Sequence, residues 1–372
     1  MTGEFSILHR DGKARLGRLH LRSGAVTTPL FMPVATRATV RLVPAWSVAD
    51  LGFEVLLSNT YHLLLRPGPE RVAKQGGLAR FHGFPKGTLT DSGGFQVMSL
   101  GARFNESGAR FRNVYDGSWV DLTPEGAVEA QRLIGADVAM VLDVCTQLPA
   151  PQPVVAANTA LSVRWAERAK RAKEPDGQLQ FGIVQGGVDL ALRRSSALEI
   201  AEIGFDGYAI GGLAVGETPV ATLEAVGAAC AILPSDRPRY LMGVGDPYLL
   251  SHAIGLGVDM FDCVSPTRIG RHGVALTASG KMKIKAPRFA ADGRPLDESC
   301  GCPVCQRVSR GFLNHLAHAD PVSLGFYLGM HNLAFQMGLI RQARAAIESK
   351  TMGIFLRRIE EVWSPEAKGS GD

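Results

Sequence analysis

Two kinds of apolar pattern alternate along the chain from Phe31 onward. Short apolar runs bounded by Gly, Pro or polar residues give way to stretches with helical spacing. The runs are Phe31 to Thr36, Glu54 to Tyr61, Thr88 to Gly93, Asp137 to Cys145, Gln180 to Gly187, Gly207 to Gly216, Arg239 to Gly245 and Val258 to Pro266, which makes eight expected strands. Between them, Pro44 to Leu51, Pro124 to Ile134, Val154 to Ala172, Leu190 to Ile203, Pro219 to Ala231 and Pro247 to Leu256 carry helical period. Thr123-Pro124 is a start signal, because a hydroxyl can cap the first turn and proline fits the first helical position. Strands that alternate with helices imply parallel βαβ units, and eight of them predict an α/β fold closed as a TIM (β/α)8 barrel. A doubly wound open sheet is the alternative. Before Phe31, turn signals at Asp11-Gly12 and Ser23-Gly24 predict a β-hairpin preface.

The polar residues of this pattern gather at the C-terminal ends of the expected strands: Asn59, Asp91, Asp143, Gln185, Gly211-Gly212-Leu213, Gly243 and Asp262. In a barrel those ends ring one mouth, where an active site belongs. A lone Asp at a strand end is usually a helix cap or turn residue. Three of them with a glutamine on one rim point to chemistry. The chain has no Gly-x4-Gly-Lys-Ser/Thr loop, Gly-x-Gly-x-x-Gly fingerprint, His-Glu-x-x-His or Gly-x-Ser-x-Gly elbow. Nucleotide hydrolysis, Rossmann redox chemistry and serine hydrolysis therefore lose weight. What remains is carboxylate chemistry, and a carboxylate pair at a barrel mouth is suited to breaking glycosidic bonds.

Composition adds a second site. Of six cysteines, Cys300, Cys302 and Cys305 lie within one short segment, a spacing that suits tetrahedral zinc better than a disulfide. The fourth ligand is open among His315, His318 and His331, and a closed Cys3His shell would make the metal structural. The net charge of +5 is mild, but Lys281, Lys283, Lys285 and Arg288 follow Arg268 and Arg271 into this segment. Such a stretch is either a guarded edge strand or a phosphate-contacting surface. Met1 to Arg10 has no secretory pattern, and no apolar run approaches the ~20 residues of a membrane span, so a cytoplasmic, membrane-free protein is expected.

At Thr90-Asp91-Ser92-Gly93-Gly94-Phe95-Gln96-Val97 and Met260-Phe261-Asp262-Cys263-Val264-Ser265-Pro266-Thr267-Arg268 the chain closely resembles the tRNA-guanine transglycosylase family, the bacterial queuine tRNA-ribosyltransferases. The likeness continues through Ser58 to His62, Gly182 to Gly187, Gly211 to Glu217 and the three cysteines. It implies a TIM barrel with an inserted zinc-binding subdomain, a homodimer, and exchange of guanine at position 34 of tRNAs with a GUN anticodon for the free base preQ1. Under it, Asp262 is the nucleophile that forms a covalent aspartyl-ribosyl intermediate, and Asp91 is the acid/base. Asp143, Gln185, Gly212, Leu213, Met242 and Phe95 hold the base, and Arg268 and Arg271 grip the anticodon loop. Zinc falls to Cys300, Cys302, Cys305 and His331. The implied division is residues 1–266 for hairpin and barrel, 267–335 for the basic stretch and zinc subdomain, and 336–372 for a closing helix and a tail, disordered from Ser364. Phe95, Ser265, Ile269 and His272 depart from residues common in the family, which bears on base and anticodon-loop contacts. Cys145 and Val215 resemble the preQ1-using pocket rather than the queuine-using one. A non-catalytic tRNA-binding partner subunit and a barrel glycosidase acting on a small nucleoside are the competing readings.

Overall fold

The structure is a computed structural model that describes residues 2–365. The expected tail lies mostly outside the described residues. Eight parallel strands follow in chain order: Leu30–Pro33, Val55–Asn59, Gly87–Asp91, Val138–Met140, Leu179–Val184, Gly207–Ile210, Arg239–Leu241 and Met260–Cys263. Each pairs with its sequence neighbour, and the eighth pairs with the first, with Asp262 opposite Met32. A parallel bridge from Val34 to Leu57 joins the first strand to the second, and the Ala35 N–H donates to the Leu57 carbonyl at 2.6 Å. The sheet therefore closes into a barrel, and the open-sheet alternative falls.

The first seven strands are buried along their whole length, as strands covered on both faces must be. In the eighth, Met260 and Phe261 are buried while Asp262 and Cys263 are half-buried. Ladders are shorter than the apolar runs, because chain beyond Met140 and Ile210 leaves the sheet to build the mouth. Gly212, at φ +65°, turns one of these loops outward. Helices cover the outside, with their caps supplied by the sequence. Thr123 Oγ1 accepts from the Gly126 N–H at 3.0 Å, while Asp189 and Asp246 cap Leu190–Ile203 and Pro247–Gly255. These two aspartates have the ordinary role of strand-end acids.

Three features differ from the sequence expectation. The N-terminal preface has three strands, Phe5–Asp11, Ala14–Leu21 and Gly24–Thr28, because two turns delimit three strands rather than a hairpin. Short helices Thr60–Leu65, Pro69–Lys74 and Leu78–His82 fill the second crossover. An antiparallel sheet of Arg103–Asn105, Gly108–Arg112 and Trp119–Leu122 follows the third strand. Its Phe111 and Leu122 pack with Tyr61, Val97, Leu142, Val144 and Trp165, so the sheet braces the loop that carries Asp143.

After the eighth strand come helix Ser265–Arg271, a hairpin of Val274–Thr277 and Gly280–Lys283, and helices Arg310–Ala319, Pro321–Glu348 and Met352–Trp363. Helix Pro321–Glu348 carries His331 and packs against both the first barrel strand and the N-terminal sheet, and Cys302, Val304 and Leu313 join the barrel's own core cluster. No helix among the described residues is long and apolar enough to cross a membrane.

Candidate active site and metal cluster

The third and eighth strands end on opposite sides of one cavity of about 400 Å³ at the barrel mouth, lined by Asp91, Asp143 and Asp262 with Phe95, Leu213 and Met242 among others. Asp262 Oδ1 accepts two hydrogen bonds, from the Tyr240 hydroxyl at 2.6 Å and the Gly243 N–H at 2.7 Å. Both fall on one oxygen, and no protein donor reaches Oδ2 among the described residues. Burial raises the Asp262 pKa, and these two donors pull it back toward the ionised form.

Asp91 has a different setting. Its Oδ1 accepts the Thr60 N–H at 2.9 Å and its Oδ2 accepts the Asn59 amide. Register puts Asn59 directly opposite Asp91 in the second and third strands, which explains the contact. Burial, opposed by those donors and reinforced by the Asp262 charge, pushes the Asp91 carboxyl up to about 7. At neutral pH it can therefore both give and take a proton.

The third acid sits on a different wall. Asp143 Oδ1 accepts from Ser92 Oγ at 3.1 Å and Oδ2 from Gln185 Nε2 at 2.6 Å. Burial still raises its pKa. Gly94 opens helix Gly94–Ser99 against Asp143 so closely that a Cβ there would meet its Oδ1 and carbonyl at 2.6 Å. Gln185 is buried behind the Gly211-Gly212 turn and is not among the cavity-lining residues; a Cβ on Gly212 would lie 2.2 Å from its Oε1. Gly212, Leu213 and Met242 line the cavity, and Phe95 stands at its edge, 53% exposed. Cys145 and Val215 lie on the same wall.

The two arginines of the sequence reading separate. Arg268 lines this cavity, while Arg271 lines an adjoining cleft. Ser265 donates its N–H to Cys263 Sγ, Ile269 packs on the core, and His272 is exposed.

Cys300, Cys302, Cys305 and His331 come together with their ligand atoms all within 4.8 Å of one another. His331 Nε2 donates to the Leu276 carbonyl at 2.8 Å, which fixes the tautomer and turns the Nδ1 lone pair toward the three sulfurs at 3.3–4.0 Å. This donor set fits a metal ion of zinc's preference. His315 and His318 are on the exposed side of their helix. Cys300 and Cys302 line a cavity separate from the one lined by the three aspartates.

Sequence reasoning missed two supports of the mouth. Tyr240 reads as one more apolar strand residue. Arg193 reads as a helix-surface cation, yet it is fully buried and donates to the Val184, Gly187 and Gly211 carbonyls, with the Gly211 bond at 2.8 Å. It thereby ties the ends of the fifth and sixth strands, which position Gln185 and Gly212. Glu217 is visible in the sequence only as a motif residue; it accepts from the Val215 N–H at 3.0 Å and Thr222 Oγ1 at 2.8 Å, fixing the loop between them.

The sequence profile described as Queuine tRNA-ribosyltransferase matches residues 11–365. Among curated relatives, the queuine tRNA-ribosyltransferase of Thermus thermophilus is 48% identical over 95% of this chain and 92% of its own length. Those of Mesorhizobium japonicum and Thermotoga maritima are each 45% identical over 97% of this chain, covering 96% and 98% of their own lengths. With end-to-end likeness of this degree, the chain belongs to the queuine tRNA-ribosyltransferase family.

Proposed function

We propose that this protein is a tRNA-guanine transglycosylase that replaces guanine at anticodon position 34 of GUN tRNAs with preQ1. The observation that carries the reading is the pairing of two unlike carboxylates on one cavity. Asp262 has both donors on Oδ1 and a free Oδ2, and Asp91 has a pKa near neutrality.

The nucleotide leaves its stack to enter the cavity. Asp262 Oδ2 attacks C1′ of the ribose, the bond from C1′ to the base nitrogen breaks, and its electron pair stays on that nitrogen. Protonated Asp91 gives the departing guanine its proton. The tRNA is then held as an ester of Asp262, and Asp91 is a carboxylate. Incoming preQ1 loses its ring N–H proton to Asp91, its nitrogen attacks C1′, and Asp262 leaves. Two displacements retain the configuration. Asp143 reads the adjacent N–H donors of the guanine edge, since a carboxylate only accepts. Gln185 orients Asp143 from behind the cavity wall, and the Gly212 and Leu213 backbone stands at the same edge of the base. Phe95 and Met242 supply the faces of a sandwich around the ring. Cys145 and Val215 favour preQ1 over the bulkier queuine.

Zinc held by Cys300, Cys302, Cys305 and His331 would be structural, because four protein ligands leave no open position. His331 Nε2 donates to the Leu276 carbonyl, so a metal held by His331 and the three thiols would tie the hairpin of Val274–Lys283, and with it part of an RNA-facing surface, to the cluster. The working unit is a cytoplasmic homodimer acting on tRNA. Metal analysis of Cys302→Ser should find the zinc lost and tRNA affinity reduced more than base affinity. Full tRNA affinity in that zinc-free variant would remove the metal's proposed role.

The decisive assay incubates the purified protein with radiolabelled guanine and a GUN tRNA, then repeats it with preQ1 and queuine, reading nucleosides by mass spectrometry. Incorporation of guanine and preQ1, with a protein–tRNA adduct that survives a denaturing gel, is expected. No incorporation by the unaltered protein would defeat the proposal.

A further inference from the structure

Arg15 and Arg193 are both deeply buried, at 1% and 0% exposure, yet they are satisfied in different ways. Arg15 is paired with Asp259 at the closed end of the barrel. Arg193, on the helix after the fifth strand, has no carboxylate within ion-pair distance among the described residues and directs its donors to carbonyls alone. Its Nε donates to the Gly187 oxygen at 3.2 Å, and its Nη1 to the Val184 and Gly211 oxygens at 3.0 and 2.8 Å. Burial lowers its pKa to about 10, with the Glu217 charge opposing the fall, so the guanidinium is charged at neutral pH. A buried cation with no counter-ion is costly, and carbonyl dipoles offset only part of that cost. Neutral donors could tie the same loop ends, so the charge calls for a role of its own.

What Arg193 holds is the cavity wall. Gly211 is bonded at both polar groups, with its N–H on the Val184 carbonyl at 3.0 Å and its own carbonyl on Arg193. The turn has no room to rotate: a Cβ on Gly211 would meet Ile183 Cγ2 at 2.8 Å and Gln185 Nε2 at 2.9 Å. Gly186, at φ +127°, lets the preceding turn rest on the Arg193 backbone, where a Cβ would lie 2.8 Å from its nitrogen. The Gly211-Gly212 peptide is trans, so its N–H lies opposite its carbonyl. With the carbonyl fixed on Arg193 behind the wall, the Gly212 N–H is turned the other way, to the side on which Gly212 lines the cavity. Among the described residues no protein group accepts it, nor the next N–H at Leu213. The two that follow, at Ala214 and Val215, both donate to Glu217. The loop therefore leaves two successive backbone donors unused at the cavity and engages the next two.

We propose that Arg193 is a positioning residue for base exchange: it fixes and polarises the Gly211-Gly212 peptide, so that the Gly212 N–H stabilises the negative charge reaching the ring carbonyl oxygen of a departing 6-oxopurine. The inference rests on the transglycosylase reading, from which it takes the Gly212 backbone at the edge of the base, and it adds the buried cation that aims and strengthens this donor. When the bond from C1′ to the base breaks, its electron pair stays on the base nitrogen and is delocalised across the rings to that oxygen, until Asp91 supplies the proton. Asp91, Asp143 and Asp262 all line the cavity, so this anion forms among carboxylates. A guanidinium on the far side of one peptide opposes their repulsion, and its pull on the Gly211 oxygen makes the Gly212 N–H a better donor. A donor aimed in advance at the place where charge develops needs no reorganisation during the reaction.

The test measures equilibrium binding of guanine and of 6-thioguanine by calorimetry, with no tRNA present. The second base keeps the ring N–H and the amino group and replaces only the oxygen, with a poorer acceptor. The parent should favour guanine by about tenfold, and Arg193→Gln should lower guanine affinity by about that factor while holding 6-thioguanine within about twofold. In exchange assays with a GUN tRNA, kcat of Arg193→Gln should fall by more than KM rises, because the oxygen carries more charge in the transition state than in the bound base. Arg193→Lys keeps the cation and should recover part of the preference. Arg194→Gln, at the exposed neighbour, makes the same change in net charge and should match the parent. Thermal melts establish that each variant is folded. If both affinities fall together in Arg193→Gln, the residue only holds the loop and the proposal is overturned. Equal affinity of the parent for the two bases would overturn it with no variant needed. A parent that shows the preference, loses it in Arg193→Gln, yet exchanges no guanine would defeat the transglycosylase reading and leave Arg193 its part in base binding. A parent that exchanges guanine, with the preference intact in Arg193→Gln, would defeat the role of Arg193 alone.

Discussion

Asp259 and Asp262 lie three residues apart, at the beginning and at the mouth end of the eighth barrel strand, and they live in opposite electrostatic worlds. At the closed end Asp259 is fully buried and neutralised: Arg15 donates to both its oxygens, at 2.9 and 2.5 Å, and the Arg239 N–H adds a third bond at 2.7 Å. The same Arg15 reaches the Ser235 and Arg237 carbonyls, so one guanidinium pins the N-terminal sheet to the barrel floor. At the mouth Asp262 meets no cation, only a phenol and one backbone N–H, with another carboxylate, Asp91, across the cavity. One aspartate has every need met by the fold, while the other is left with a free oxygen. Stability is built at the floor, and reactivity is what the mouth retains by going without it.

The sharpest break of this contrast is to remove one acid at a time. Asp262→Asn should abolish both guanine exchange and the denaturation-resistant adduct, since an amide is no nucleophile here, while leaving thermal stability equal or higher. A surviving adduct would mean the nucleophile is misassigned. Asp259→Ala should do the opposite. It strands Arg15 without a partner, a loss of about 3–5 kcal/mol for a broken buried pair, read by urea unfolding. Exchange per folded molecule should persist at low temperature. If Asp259→Ala proves as stable as the parent, the floor is not the anchor described.

Asp91→Asn should come next, slowing exchange by about 100- to 10,000-fold through lost proton transfer. It also gives a stability signature with a defined sign. The folded-state pKa of about 7 lies above the ordinary 3.8, so the protonated carboxyl stabilises the fold at low pH, and that contribution is lost as pH rises from about 4 through about 7. Asparagine does not titrate. The melting temperature of the variant should therefore gain on the parent across that window, provided the Asn59 amide turns to meet its new neighbour. Parallel melting curves from pH 4 to about pH 8 would refute the raised pKa.

The floor and mouth also differ in how far they could be read from sequence. Eight apolar runs and the caps at Thr123, Asp189 and Asp246 carry the barrel, because local periodicity and capping are chemistry among near neighbours. The strand-end acids follow, because a closed barrel puts all its strand ends on one rim. The pair Arg15 and Asp259 is separated by 244 positions, and nothing local to either residue announces it. The inserted sheet of Arg103–Leu122 is silent for another reason: its strands are three to five residues long, too brief for period to register. The candidate metal ligands divide in the same way, with three thiols legible from spacing and His331 distinguishable from His315 and His318 only by resemblance or by folding.

The smallest expected effect sharpens the contrast most, because it alters the mouth without touching a reacting carboxylate. Tyr240 donates to Asp262 Oδ1, and that bond favours the ionised acid against the burial that opposes it. Tyr240→Phe removes the hydroxyl and keeps the ring, so the core beneath should hold. A hydrogen bond to a charged group contributes about 1.5–3 kcal/mol, which bounds the fall in exchange rate at neutral pH to about 10- to 150-fold. The pH profile carries the sign. In the proposed reaction Asp262 must be ionised to attack, its pKa rises when the donor goes, and the acid limb of kcat/KM should therefore move to higher pH. Gly243 still donates its N–H, so the limb shifts without the activity vanishing. An acid limb that stays in place, with the rate reduced at every pH alike, would show that the phenol positions the carboxylate without tuning it.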